Sequence, residues 1–177
     1  MDLIEKTLSK KTVYDGNIFS VTNEEVALPN GEHALREIVL HKGGVGIIPI
    51  TYDNKIVMVK QFRNGVKNIT LEIPAGKLEN NEDVLICAKR ELKEETGYTA
   101  GEITKVITMY ASPAYVSETD YLFVAKDLVK GESAPDNDEF VEILEIPIET
   151  LKEMLFKNEI KDSKTIIAIL IADKYKY

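Results

Sequence analysis

Residues 90–97 read RELKEETG, placing Glu91, Glu94 and Glu95 ahead of a glycine. A helix turns about 100° per residue, so these three carboxylates fall within an arc of roughly 100° and share one face. Like charges so placed repel unless something positive stands among them. Two chemistries suit the pattern. One is a solvated helical face laced by the i,i+4 pair Arg90–Glu94. The other is an oxygen-donor set of the kind hard divalent cations take. On these eight residues alone the solvated face is the better reading.

The elements that must position them follow from turn signals and periodicity. YDGN at 14–17 and LPNGEH at 28–33 punctuate short β-forming runs, which predicts a small N-terminal sheet. VGIIPIT (45–51), the turn YDNK and IVMVKQF (55–62) read as a hairpin of central strands. ITLEIPAG (69–76) is a further strand stopped by Pro74 and Gly76. From Asn80 or Asn81 to Thr96 the period becomes helical: the asparagines offer caps, Glu82 and Asp83 suit the positive end of the dipole, and Gly97 ends the helix. Val84, Leu85, Ala88 and Leu92 form its core stripe. Strand patterns return at 103–110, 120–125 and 140–146, and two helices are expected at about 148–157 and 163–174. A central mixed sheet with helices on both faces accounts for this order.

The chain of 177 residues suits one main domain, and its 44% apolar and 29% charged residues are ordinary for a globular protein. A net charge of −8 argues against a nucleic-acid backbone as partner, though not against a small anion beside a bound cation. No run of apolar residues is long enough for a membrane span and the N-terminus lacks a signal-peptide core, so the expected location is the cytoplasm, with no membrane partner. Cys87, the single cysteine, reads as a small buried residue rather than a nucleophile. His33 and His41 are assigned no catalytic part.

The loop ahead of the glutamates changes the weighting of the two chemistries. GKLENNEDVLICAKRELKEETGY runs from Gly76 through five residues to Glu82, through seven more to Arg90 and Glu91, then to Leu92, Glu94, Glu95 and Gly97. This resembles the Nudix box, Gly-x5-Glu-x7-Arg-Glu-U-x-Glu-Glu-x-Gly-U, with Tyr98 in place of the final aliphatic. REIVLHKGGVGIIPI, VKQFR and LEIPAGKLE, in that order, are similar to the ADP-ribose pyrophosphatase branch, over about residues 12–157. Pro113 in ASPAYVSE resembles that branch's Ser-Pro-Gly segment, with Ala114 replacing the glycine.

The resemblance implies an α+β protein, an α/β/α sandwich of the Nudix fold. Residues 1–42 would form an N-terminal β-sheet extension for dimerisation and substrate contacts, and 43–177 the hydrolase domain. It implies Mg²⁺, with Mn²⁺ a possible substitute, held by Glu91 and Glu95, with Glu94, the Ala75 carbonyl and Asp138 as further contacts. Gly76, Glu82, Arg90 and Gly97 would be structural within the box, and Glu82 reads nearly as well as a helix-start residue. Arg36, Arg63, Leu78 and Glu118 would touch substrate; for Arg36 a surface ion pair is an equal reading, and for Leu78 plain packing is. Glu139 is the first choice to activate water, with Glu94 and Glu95 also counted as catalytic and Asp136 or Asp138 as alternatives. The implied reaction is hydrolysis of ADP-ribose, or a related nucleoside diphosphate sugar, to AMP and ribose 5-phosphate by a homodimer. The sibling alternative is GDP-mannose or another sugar nucleotide. A housecleaning enzyme for nucleoside triphosphates is a third reading, and a non-catalytic ADP-ribose-sensing regulatory domain belongs to a different class.

Overall fold

The computed structural model describes residues 2–133 and 140–177. Two compact units emerge, one of them comprising the residues up to Gly43 together with Met109–Asp120. In it β1 (Lys6–Asp15), β2 (Ser20–Ala27) and β3 (His33–Leu40) form an antiparallel sheet in the order β1-β2-β3. Both hairpins fall at the expected turn signals, and Gly31 supplies a positive φ of 87°. The 109–120 segment meets the end of this sheet, where Val39 bonds through its backbone to Tyr115 and Ser117.

The second unit is Gly44–Thr108 with Tyr121–Tyr177. Its strands, apart from the last two residues of β8 and the first two of β9, are β4 (Gly44–Pro49), β5 (Lys55–Arg63), β6 (Asn68–Glu72), β7 (Ala75–Lys77), β8 (Tyr98–Tyr110), β9 (Thr119–Lys130) and β10 (Val141–Pro147). They divide into two sheets, β10-β5-β6 and β7-β4-β9-β8, where the sequence led us to expect one central sheet. Every residue of β4 is buried, as is the Ile56–Val59 run of β5, which is why both read as unbroken apolar stretches rather than alternating ones.

Helix α1 (Val84–Thr96) packs on β4, β5 and β7, and its buried Cys87, Ala88 and Leu92 join Val45, Val57 and Phe123 in one core cluster. It starts later than the asparagines suggested. Asn81 takes a left-handed φ of 60°, and the cap is Asp83, whose carboxylate accepts from Leu85 N and Ile86 N at 2.9 and 3.2 Å. Helices α2 (Ile148–Phe156) and α3 (Ser163–Ile171) pack together, and a 3₁₀ turn Ala172–Tyr175 follows. Among the described residues no helix is long and apolar enough to cross a membrane.

Candidate active site

The second unit brings the box loop and its helix together through side chains of graded burial. Glu95 stands seven residues after Ala88, so it lies on the buried stripe of α1 rather than beside it. It is only 3% exposed, and its Oε2 accepts a hydrogen bond from Ala75 N at 2.9 Å. The carboxylate thereby ties the helix to β7, the short strand that opens the box loop. Glu91 is partly buried beneath the same strand. A Cβ added to Gly76 would lie 1.9 Å from its Cδ, so the glycine makes the room that this carboxylate fills. Glu94, one turn on from Arg90, is the most exposed of the three.

Arg90 is the positive group that lets these carboxylates coexist. Its Nε and Nη2 donate to the two oxygens of Glu82 at 2.9 Å each, while Nη1 donates to Glu91 Oε1 at 2.7 Å and Glu94 Oε2 at 3.0 Å. Nη2 also reaches the Lys77 carbonyl at 3.3 Å. Glu82 in turn accepts from Glu79 N at 3.0 Å, so one guanidinium joins the loop to the helix. The i,i+4 pair legible in the sequence is thus one part of a fork reaching three glutamates.

The Arg90 guanidinium holds the Glu82 carboxyl down to about 2, helped by the Glu79 N–H and opposed by burial. A carboxylate whose folded pKa is depressed stabilises the fold above its unfolded value, and that stability is lost as pH falls toward the folded value. Wild-type protein is therefore expected to lose stability between about pH 4.5 and pH 2 more steeply than Glu82→Gln. Urea midpoints measured across that range check this, and parallel curves for the two proteins would contradict it. Burial, with the Glu82 charge second, pushes the Cys87 thiol up to about 12, which removes it as a nucleophile at neutral pH.

Gly97 takes φ 74° as the C-cap of α1, and a Cβ there would meet Gly131 O at 2.6 Å and Ser133 N at 2.8 Å. Tyr98, in the box's final aliphatic position, is buried; its hydroxyl bonds Glu145 Oε1 of β10 at 2.5 Å. The ring fills the aliphatic place, and the hydroxyl finds a polar partner at its edge.

The other candidate residues are distributed as follows. Arg63, at the end of β5, donates from Nε and Nη2 to Glu72 at 2.9 and 2.7 Å. Leu78 packs against the α1 core cluster. Arg36 and Glu118 belong to the first unit, where Arg36 donates to both oxygens of Glu5 and Glu118 lies 3.3 Å from His41 Nδ1. Asp136, Asp138 and Glu139 lie outside the described residues. Sequence reasoning passed over Glu72 and Gln61: Glu72 is a buried carboxylate, and Gln61 Nε2 is buried with no hydrogen-bond partner among the described residues. The available signal was a glutamate inside an otherwise apolar strand run, LEIP.

The assembled groups are oxygen donors on one helix face and its adjoining loop, with a second guanidinium, Arg63 of β5, on which the charge of Glu95 acts. That suits a hard divalent cation beside a phosphorylated ligand.

Comparison with known proteins follows the same line. A family model described as NUDIX domain matches residues 40–168, and one described as nucleoside diphosphate sugar hydrolase N-terminal domain matches residues 5–39. The chain is 42% identical to a Bacillus subtilis (strain 168) protein named ADP-ribose pyrophosphatase, over 94% of this chain and 91% of that one. It is also 42% identical to the methanol dehydrogenase activator of Bacillus methanolicus, over 93% and 90%. A GDP-mannose pyrophosphatase of Salmonella typhimurium is 32% identical, over 92% of each. A solved structure described as ADP compounds hydrolase shares the fold at a TM-score of 0.86 and 23% identity, covering 99% of this chain and 96% of that one. With every position of the box but its final aliphatic matched in sequence and its loop and helix joined through Arg90 and Glu95, and with the family model spanning most of its length, this chain belongs to the Nudix hydrolase family.

Proposed function

We propose that this protein hydrolyses the diphosphate linkage of ADP-ribose to AMP and ribose 5-phosphate with Mg²⁺. The observation that carries the reading is the set Glu91, Glu94 and Glu95 on one helix, Glu95 and Glu91 lying against Ala75 and Gly76 and Glu94 held by Arg90. Hydrolases of this family generally use divalent metal ions. The residues present fit such an ion: the donors are all oxygens, Gly76 makes room for the Glu91 carboxylate against β7, and Glu95 is already fixed by the Ala75 N–H. Among the described residues, no three acidic, histidine or cysteine side chains converge closely enough to hold an ion as they stand. Arg90 engages one oxygen each of Glu91 and Glu94, Oε1 of Glu91 and Oε2 of Glu94.

In this reading Glu91, Glu95 and the Ala75 carbonyl would hold Mg²⁺, with Glu94 and Asp138 as further contacts and Mn²⁺ as a substitute. Held there, the ion would supply positive charge to neutralise the diphosphate and to activate water. Glu139 accepts the proton of the attacking water. One bridging P–O bond breaks as the new P–O bond forms, and the leaving phosphate carries away the bridging oxygen. Arg63 offers its guanidinium to a phosphate oxygen, and Arg36, Leu78 and Glu118 contact the remainder of the substrate. The N-terminal sheet, residues 1–42, serves dimerisation. The exposed Leu3, Ile4, Leu8, Val13 and Leu35 in it support that part, and a monomer in sedimentation equilibrium at micromolar concentration would count against it. We place the protein in the cytoplasm.

The 32% identity to a GDP-mannose pyrophosphatase favours GDP-mannose as the second reading. The relative named methanol dehydrogenase activator keeps a regulatory role toward a partner enzyme as a reading of another class. Product analysis with ADP-ribose, GDP-mannose and a nucleoside triphosphate in Mg²⁺ separates them. AMP and ribose 5-phosphate are the products expected from ADP-ribose, turned over fastest of the three. No turnover of any of them removes the enzymatic reading.

A further inference from the structure

Glu72 is a carboxylate in β6, only 3% exposed, that the box does not use. The antiparallel register sets Val59 opposite Glu72, Gln61 opposite Thr70 and Arg63 opposite Asn68. Alternation along each strand therefore puts Gln61 and Arg63 on the same face as Thr70 and Glu72. Both Glu72 oxygens are engaged there. Oε1 accepts from Arg63 Nε at 2.9 Å and from the Thr70 hydroxyl at 2.5 Å, and Oε2 accepts from Arg63 Nη2 at 2.7 Å. The bidentate pair takes one edge of the guanidinium and leaves Nη1 outside it, on a side chain that is 44% exposed. After Glu72, the charges of Glu95, the most buried glutamate of the box, and of Asp162 also act on Arg63. An ion pair with one buried carboxylate is by itself weak evidence of a gain in stability, which leaves room for a functional role.

We propose that Glu72 is a positioning residue, which, with Thr70, fixes the guanidinium of Arg63 so that its outer edge meets an oxygen of the substrate's diphosphate. This rests on the reading of Arg63 given under the proposed function. The physical content is pre-organisation: an arginine at a strand end has many rotamers, and the two parallel bonds to Glu72 select one before ligand arrives. Glu72→Gln keeps the volume but faces an arginine donor with an amide N–H, so the second bond of the pair is lost.

Glu72→Gln is expected to raise KM for ADP-ribose about tenfold while kcat changes by less than about threefold. Its affinity for inorganic pyrophosphate in Mg²⁺, measured by calorimetry, should fall by a similar factor. Thr70→Val, a milder change that removes only the hydroxyl, should weaken pyrophosphate about two- to fivefold and keeps the test open if Glu72→Gln does not fold. The decisive comparison is a double-mutant cycle with Arg63→Lys: if Glu72 acts through Arg63, Glu72→Gln adds no further loss in that background. The proposal is overturned if the losses multiply, if the glutamine variant lowers Tm without altering KM or pyrophosphate affinity, or if wild type does not bind pyrophosphate. Pyrophosphate binding does not depend on which sugar nucleotide is hydrolysed. Failure to turn over ADP-ribose therefore removes the substrate reading alone, whereas an unchanged pyrophosphate affinity removes the role of Glu72.

Discussion

Glu95→Gln is expected to lower kcat/KM for ADP-ribose by on the order of 10³-fold while leaving the fold in place. The glutamine is the same size as the side chain it replaces, and its Oε1 can still accept from Ala75 N, as Glu95 Oε2 does at 2.9 Å. The helix therefore stays tied to β7, and Tm should move by only a few degrees. What disappears is one negative charge at the most buried donor of the set, where solvent screening is weakest and a carboxylate is worth most to a cation. Losing several kcal/mol of charge stabilisation corresponds to about three decades in rate, each decade being about 1.4 kcal/mol. Steady-state kinetics across a Mg²⁺ titration, paired with calorimetric titration of Mn²⁺, measures both halves of the claim. Equal activity and equal metal affinity in wild type and variant would falsify the assignment of Glu95 as a ligand.

Gly76→Ala should be equally damaging for a different reason. Gly76 is not among the residues with positive φ, so alanine meets no backbone penalty there. The obstacle is space: its Cβ would lie 1.9 Å from Glu91 Cδ and 2.0 and 2.3 Å from the two carboxylate oxygens. Either Glu91 is driven from its place or β7 lifts away from β4, where Gly76 pairs with Val45. Overpacking of this kind costs about 1–3 kcal/mol, a fall in Tm of several degrees at this chain length. Activity should drop to near background, because both routes disturb a carboxylate of the site. The double variant Gly76→Ala/Glu91→Ala tests the cause. With the clashing carboxylate gone, thermal stability should return toward wild type while activity stays lost. If the double variant is no more stable than Gly76→Ala, the clash is not what harms the single one.

These two positions also mark where reading the chain succeeded and where it stopped. The spacing of Gly76, Glu82, Arg90, Glu91, Glu94, Glu95 and Gly97 was legible because a helix imposes its own period and a short loop permits few register choices. The family and the placing of these residues on one loop and helix followed from that, as did the hairpins at Asp15–Gly16 and Asn30–Gly31, where local turn chemistry suffices. Whether Gly76 served backbone freedom or close approach was not legible, since both leave a glycine in the sequence. The contact with Glu91 decides it.

The later start of α1 has a similar origin. Asn80, Asn81 and Asp83 are all good caps by type, and only the left-handed turn of Asn81 made Asp83 the residue whose carboxylate faces the free N–H groups. Division of the strands into two sheets likewise depends on pairings between distant segments, such as β10 with β5, for which a single sequence carries no local signal.

By itself, then, the amino-acid sequence determined the family, the α+β class and the row of carboxylates, because each is written in residue type and spacing along one short segment. Tertiary structure alone decided which of those carboxylates is buried, that Arg90 bridges three glutamates, and that Glu72 grips Arg63. Those are relations between chain segments brought together by packing, and their energies depend on distance and burial, which do not exist until the chain has folded.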